Sequence, residues 1–128
     1  PEVSVSAGEV QVVLPDGEVP TSYGVATVIE GDGAMVYDGA TVVLNYHGVN
    51  WNTGETFDSS FGSGQPATFP TSGVIPGFRD GVVGQNVGSR VLITIPPALG
   101  YGPQGGTQDG RIGPEDTIFF VVDILGIQ

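Results

Sequence analysis

Apolar residues in this chain recur every second position far more often than every third or fourth. From Thr41 to Val49, Val42, Leu44 and Tyr46 fall on one side and Val43, Asn45 and His47 on the other, which is the two-residue period of an extended strand. The alternation returns over Arg90-Val91-Leu92-Ile93-Thr94-Ile95 and stops at Pro96-Pro97, because proline can neither donate to a ladder nor continue one. It runs again from Thr117 to Leu125, with Ile118, Phe120, Val122 and Ile124 as the expected core face. A weaker strand is expected from Tyr23 through Val25, Thr27 and Ile29, closed by Gly31-Asp32-Gly33. Asn52-Thr53-Gly54 reads as a turn leading into Glu55-Thr56-Phe57.

Helical spacing occurs once. Gly77 to Val83 follows Pro76 and stops at Gly84, with Phe78 and Val82 four apart on one face. Two turns containing a glycine are unstable alone, so the helix is expected to depend on packing against a sheet. The fold class that follows is α+β: a curled antiparallel sheet of about five strands wrapped over one short helix. Valine pairs at Val3 and Val5 and at Val10 and Val12 are interrupted by Gly8, Pro15, Gly17 and Pro20. Residues 1–22 therefore read as an arm or an edge strand, and residues 23–128 as the domain.

Composition agrees with strands: Val and Ile together outnumber Leu, Ala and Met by 27 to 12, and branching at Cβ favours extended backbone. A length of 128 residues suits one core. Three arginines, no lysine and 14 acidic residues give a net charge of −11, which argues against nucleic acid as a partner. No apolar run approaches the roughly 18 residues of a membrane span. With no cysteine there is no disulfide, thiol nucleophile or thiolate metal site. The chain opens at Pro1 rather than Met, which suggests a processed or trimmed protein and, with the Ser- and Thr-containing arm, an extracytoplasmic location. A monomer is expected.

The usual catalytic sets are missing. His47 is the single histidine, so a metal site would need to be nearly all carboxylate and none is expected. Its side of the strand is opposite Tyr46, which suits a surface or hydrogen-bonded role. No strand-elbow motif frames a serine. Gly102-Pro103-Gln104-Gly105-Gly106 lacks the lysine and following helix of a phosphate loop. Glu115-Asp116 and Glu30 with Asp32 read as turn caps and solubilising charge.

What remains is a set of aromatic and branched residues at strand ends, turns and the helix entry. They lie in Tyr46-His47-Gly48, Gly54-Glu55-Thr56-Phe57-Asp58-Ser59-Ser60, Val74-Ile75-Pro76-Gly77-Phe78, Val87-Gly88-Ser89-Arg90, Tyr101-Gly102 and Ile112-Gly113-Pro114-Glu115-Asp116-Thr117-Ile118. In order and spacing this text resembles the FKBP-type peptidyl-prolyl cis-trans isomerases from about Val25 to Ile127. The resemblance implies a cleft between sheet and helix, built from Tyr46, Phe57, Asp58, Phe69, Val74, Ile75, Phe78, Tyr101, Ile112 and Phe120. Phe78 would be its floor, where most relatives carry Trp, and Tyr46, Phe57 and Phe120 its walls. The Ile75 N–H and Tyr101 hydroxyl would hold substrate carbonyls, and Asp58 at the rim would accept a hydrogen bond from Tyr46. Phe69, Val74 and Ile112 would complete the substrate-binding surface.

The implied substrates are proline-containing polypeptides, flexible or unfolded, and the implied ligands macrolides such as tacrolimus and rapamycin. No cofactor is implied. Departures from the family pattern are Ser63 near a position often held by an arginine that neutralises the rim aspartate, Ala67 in place of a pocket aromatic, and a longer loop from Gly102 to Gly110 without the usual histidine. Two other readings stay open: a non-catalytic FKBP-like chaperone or proline-peptide binding module, and an acidic all-β interaction domain lacking the helix. On the residues alone, Phe57, Phe78 and Phe120 could equally be ordinary core.

Overall fold

The computed structural model describes residues 2–6, 9–14, 19–61 and 65–128. The strands are β1 (Glu2–Ser6), β2 (Glu9–Val13), β3 (Gly24–Ile29), β4 (Thr41–Asn50), β5 (Thr56–Ser59), β6 (Ala67–Pro70), β7 (Arg90–Ile95) and β8 (Ile118–Ile127). One α-helix, α1 (Pro76–Val82), lies between β6 and β7, and short 3-10 turns span Thr71–Gly73 and Pro97–Leu99. The helix excludes the all-β reading.

The main sheet runs β3-β7-β8-β4-β5, every pairing antiparallel, with β6 also on β4. The sheet is thus five strands wide, as expected, but contains a sixth strand. β4 is ten residues long, so one edge accepts two short partners: β6 opposite Thr41 to Leu44 and β5 opposite His47 to Val49. Four residues ending in Pro70 carry too little alternation to announce β6. The N-terminal valines pair with one another, Val3 with Val12 and Val5 with Val10, as a separate two-stranded sheet rather than as an edge of the main one. Local closure across two intervening residues brings these partners together more readily than a distant edge would.

The core lies between the sheet and α1. Val42 and Leu44 of β4, Val91, Ile93 and Ile95 of β7, and Ile118, Phe120, Val122 and Ile124 of β8 meet Phe78 and Val82 of the helix there. The glycines that weaken this helix in isolation let it approach closely: a Cβ on Gly81 would come within 2.5 Å of Ile93 Cδ1, and one on Gly77 within 2.6 Å of Ile95 Cγ2. The Tyr23 hydroxyl donates to the Gly77 carbonyl at 2.7 Å, tying the start of β3 to the helix. Burial and the nearby Asp80 push that hydroxyl up to about 12.

Alternation misses one feature of β8: Phe119 and Val121, on the face opposite the core, are 1% and 0% exposed. β8 is flanked on both sides, and Trp51 covers Phe119 edge-on, with ring centroids 5.8 Å apart and planes at 88°. Arg90 and Asp123, cross-strand partners, form a bidentate ion pair at 2.7 and 2.8 Å.

Candidate active site

Each wall of the cleft is set by a local rule of chain geometry. Tyr46 and Gly48 point inward from β4 because they are two apart. A Cβ at Gly48 would lie 2.5 Å from Phe57 Cζ and 2.8 Å from Phe120 Cε1, so the missing side chain gives those rings their places. Phe120, opposite Gly48 in register, stands at the centre of the cleft. Phe78 enters from the first turn of α1, and Phe69 comes from β6.

The rings meet edge to face. Phe78 and Phe120 are 5.0 Å apart at 90°, Phe57 and Phe120 are 5.5 Å apart at 85°, and Tyr46 and Phe69 are 5.7 Å apart at 62°. These geometries join the electropositive edge of one ring to the face of another, and they leave a hollow where a flat stack would close. The resulting cavity is about 410 Å³, lined by Tyr46, Phe57, Asp58, Phe69, Gly73, Val74, Ile75, Phe78, Tyr101, Gln104 and Phe120. Phe78 and Phe120 are 5% and 4% exposed at its base, whereas Tyr46, Phe57, Phe69 and Tyr101 are only half-buried.

The polar side chains of the lining, Tyr46, Asp58, Tyr101 and Gln104, are exposed or half-buried. The Tyr46 hydroxyl donates to Asp58 Oδ2 at 2.5 Å, and Asp58 Oδ1 accepts the Ser59 N–H at 2.9 Å. Burial, followed by this hydrogen bond and the Asp58 charge, holds the Tyr46 hydroxyl well above the usual tyrosine range. Burial also raises Tyr101, and the Asp58 and Asp109 carboxylates add to it. Both hydroxyls are therefore protonated at neutral pH. Among the described residues, neither the Ile75 N–H nor the Tyr101 hydroxyl has a hydrogen-bond partner. Both are free for a guest.

The loop after Tyr101 is held from below by a buried polar knot. Asn50, fully buried, donates to the Arg111 carbonyl at 2.9 Å and to Asp116 Oδ2 at 2.8 Å, and Asp116 accepts the Gly113 N–H at 2.7 Å. Arg111 Nη1 reaches the Phe57 carbonyl at 3.0 Å.

Nine of the residues expected at the site line the cavity together. Ile112 does not: it is 1% exposed and belongs to the buried core. Ala67 pairs with Leu44 on β6 and is not a lining residue. Ser63 lies outside the described residues. Gly73 and Gln104 line the cavity without having been expected there. Neither sits in a periodic pattern, and their one signal was proximity in sequence to Val74 and Tyr101. His47 faces the other side of the sheet, with Nδ1 2.9 Å from Ser59 Oγ and Nε2 3.3 Å from Thr56 Oγ1. Burial lowers its pKa.

A half-open ring-lined hollow with free donors at its mouth is the kind of site that binds a peptide segment. The profile of the FKBP-type peptidyl-prolyl cis-trans isomerases matches residues 33–125, and the chain belongs to that family. It is 39% identical over 115 residues to the probable FK506-binding protein of Corynebacterium glutamicum, covering 90% of this chain and 95% of that one. An FK506-binding protein of Streptomyces anulatus is also 39% identical, over 119 residues, covering 91% and 95%. Among solved structures, FkpA from Escherichia coli superposes with a TM-score of 0.74 at 35% identity, covering 84% of this chain and 49% of FkpA. AtFKBP13 gives a TM-score of 0.72 at 26% identity, covering 86% and 96%.

Proposed function

We propose that this cavity accelerates rotation about Xaa-Pro bonds in flexible or unfolded polypeptides by favouring the twisted amide. Rotation must break amide resonance, a barrier of about 18–20 kcal/mol, and takes tens to hundreds of seconds unaided. No bond is cleaved and no proton is moved. In the twisted state the carbonyl carries less negative charge and gives up hydrogen bonds to water at little loss. A ring-lined, water-poor hollow therefore favours that state over the planar one.

In this reading the proline ring rests on Phe78 between Tyr46, Phe57 and Phe120. Phe69 and Val74 bound the pocket, and the Ile75 N–H and Tyr101 hydroxyl hold flanking carbonyls. Asp58 fixes Tyr46 through their hydrogen bond. The observation that carries the reading is the cavity itself: about 410 Å³, within the roughly 300–1,000 Å³ of small-ligand sites, apolar at its base and polar only at its mouth. The related FK506-binding proteins extend the proposal to macrolides such as tacrolimus and rapamycin.

The test is an NMR exchange measurement on an Ala-Leu-Pro-Phe peptide, with and without rapamycin. The expected result is exchange far above background, suppressed by the macrolide. Exchange at background with the peptide still bound would instead mark a non-catalytic binding module.

A further inference from the structure

Among the described residues, no cationic side chain pairs with Asp58 at the mouth of the cleft. The chain carries no lysine and three arginines, and each arginine already serves another carboxylate. Arg79 lies 3.4 Å from Asp80, Arg90 lies 2.7 Å from Asp123, and Arg111 lies 3.9 Å from Asp109. His47, whose pKa is lowered by burial, faces the opposite side. Asp58 lines the cavity and is exposed. Its oxygens are met by a tyrosine hydroxyl and a backbone N–H, and among the described residues it has no cationic partner.

Asp109 does not line the cavity, but it lies 3.9 Å from the Arg111 guanidinium, which itself donates to the Phe57 carbonyl at 3.0 Å, so a second carboxylate stands near the Phe57 side of the cleft. Arg111 offsets one of the two, which leaves the mouth of the cleft net negative on a chain of net charge −11. A guest entering the hollow thus meets an apolar base and an unneutralised anionic lip.

We propose that the cleft selects proline segments carrying a lysine or arginine within two residues of the isomerised pair, with Asp58, assisted by Asp109, recognising that cation. This rests on the isomerase reading and adds the substrate class to it. The apolar base takes the proline and the residue before it, and the lip supplies the missing half of an ion pair. Long-range attraction from the acidic surface adds to the encounter rate, and both effects weaken with salt.

The experiment compares peptides of one Leu-Pro core with Lys, Gln or Glu at the position before Leu, and a second set substituted two residues after Pro. Exchange is followed by NMR at about 10 mM and about 1 M ionic strength, where screening lengths are about 30 Å and 3 Å. In at least one set, kcat/KM is expected to fall several-fold from Lys to Gln and again from Gln to Glu at low salt. The three values should converge at high salt. Asp58→Asn should shrink the Lys-to-Glu ratio whatever it does to the Gln peptide, and Asp109→Asn should shrink it less.

Equal rates for the three peptides at low salt would overturn the proposal, as would a Glu peptide that turns over fastest. An Asp58→Asn ratio unchanged from the parent would remove Asp58 as the recognising group. Should the Gln peptide exchange only at background, the isomerase reading fails separately, and the charge order is then read from peptide affinities in a chemical-shift titration.

Discussion

Phe119 and Phe120 are neighbours on β8 and face opposite sides of the same sheet. Phe119 meets Trp51 at 5.8 Å and is sealed at 1% exposure. Phe120 meets Phe78 at 5.0 Å and Phe57 at 5.5 Å with equally good edge-to-face geometry, yet it stands at the base of a cavity of about 410 Å³. Ring pairing is the same on both faces. What differs is closure: one indole caps one phenyl on the first face, while on the second six aromatic rings border a hollow, two of them, Phe57 and Phe120, packed over Gly48. The same apolar chemistry therefore seals one side and leaves a cavity on the other.

The two faces part most clearly when each ring is removed. Phe119→Ala deletes a sealed core ring and is expected to cost about 3–5 kcal/mol of stability, measured by urea unfolding. Isomerase activity per folded molecule should stay at the parent level. Phe120→Ala also destabilises, but its distinguishing effect should be on turnover. Losing one wall forfeits about 1.5–3 kcal/mol of apolar contact, which is roughly ten- to hundredfold in kcat/KM if that contact favours the twisted amide. Equal losses of activity in both variants would mean that the second face is no more a binding surface than the first.

Gly48→Ala probes the hollow without removing a ring. The new methyl would lie within 3 Å of atoms of both Phe57 and Phe120, so the rings must shift into the cavity. The expected outcome is a stability loss of about 1–3 kcal/mol from overpacking, with a several-fold fall in kcat/KM. A variant with full activity would show that the walls yield freely and that their spacing does not set turnover.

Why the two faces were unequally legible in the sequence follows from what alternation encodes. Val42, Leu44, Val91, Ile93, Ile118 and Phe120 announce a strand and its inward side because every second residue is apolar. Phe119 and Val121 fall on the supposed solvent side, and their burial depends on flanking strands and on Trp51, which local pattern does not carry. β6 was invisible for a similar reason: it exists because β4 is long enough to accept it.

At the site, the motifs around Tyr46, Phe57-Asp58, Ile75 and Tyr101 contain seven of the lining residues, Tyr46, Phe57, Asp58, Val74, Ile75, Phe78 and Tyr101, but motif membership does not report depth. Ile112 opens another of the family motifs and is buried in the core rather than lining the cavity. Gln104, in a glycine-rich loop without periodicity, lies on its rim. Asn50, fully buried and holding the loop through Arg111 and Asp116, looked like one more polar residue at a strand end.

A weaker contrast concerns protons. His47, on the sealed side, is lowered from 6.5 by burial. Its unfolded form therefore takes up a proton at higher pH than its folded form. Stability from this group is present above about pH 6.5 and declines as the pH falls toward and through the lowered folded value. A modest fall in Tm between pH 7.5 and pH 5.5 is expected, smaller in His47→Gln. Turnover at 25 °C should not follow it, because His47 faces away from the cavity, its ring bonded to Ser59 and Thr56. A kcat that tracked His47 protonation would couple the two faces.

The smallest effect is expected at the Tyr101 hydroxyl. The Tyr101 hydroxyl has no partner of its own among the described residues, and a guest carbonyl would exchange one hydrogen bond, to water, for another. Such an exchange contributes about 0.5–1.5 kcal/mol, toward the low end where the group is half exposed. A flanking carbonyl keeps its charge whether the prolyl amide is planar or twisted, so the bond strengthens both states alike. Tyr101→Phe is therefore expected to raise KM about two- to threefold and leave kcat unchanged. Burial and the Asp58 and Asp109 charges hold this hydroxyl above its usual value of 10.0, so KM of the parent should also stay flat up to about pH 10. A tenfold fall in kcat would assign the hydroxyl to the twisted state itself, and turnover would then depend on the rim as well as on the rings beneath it.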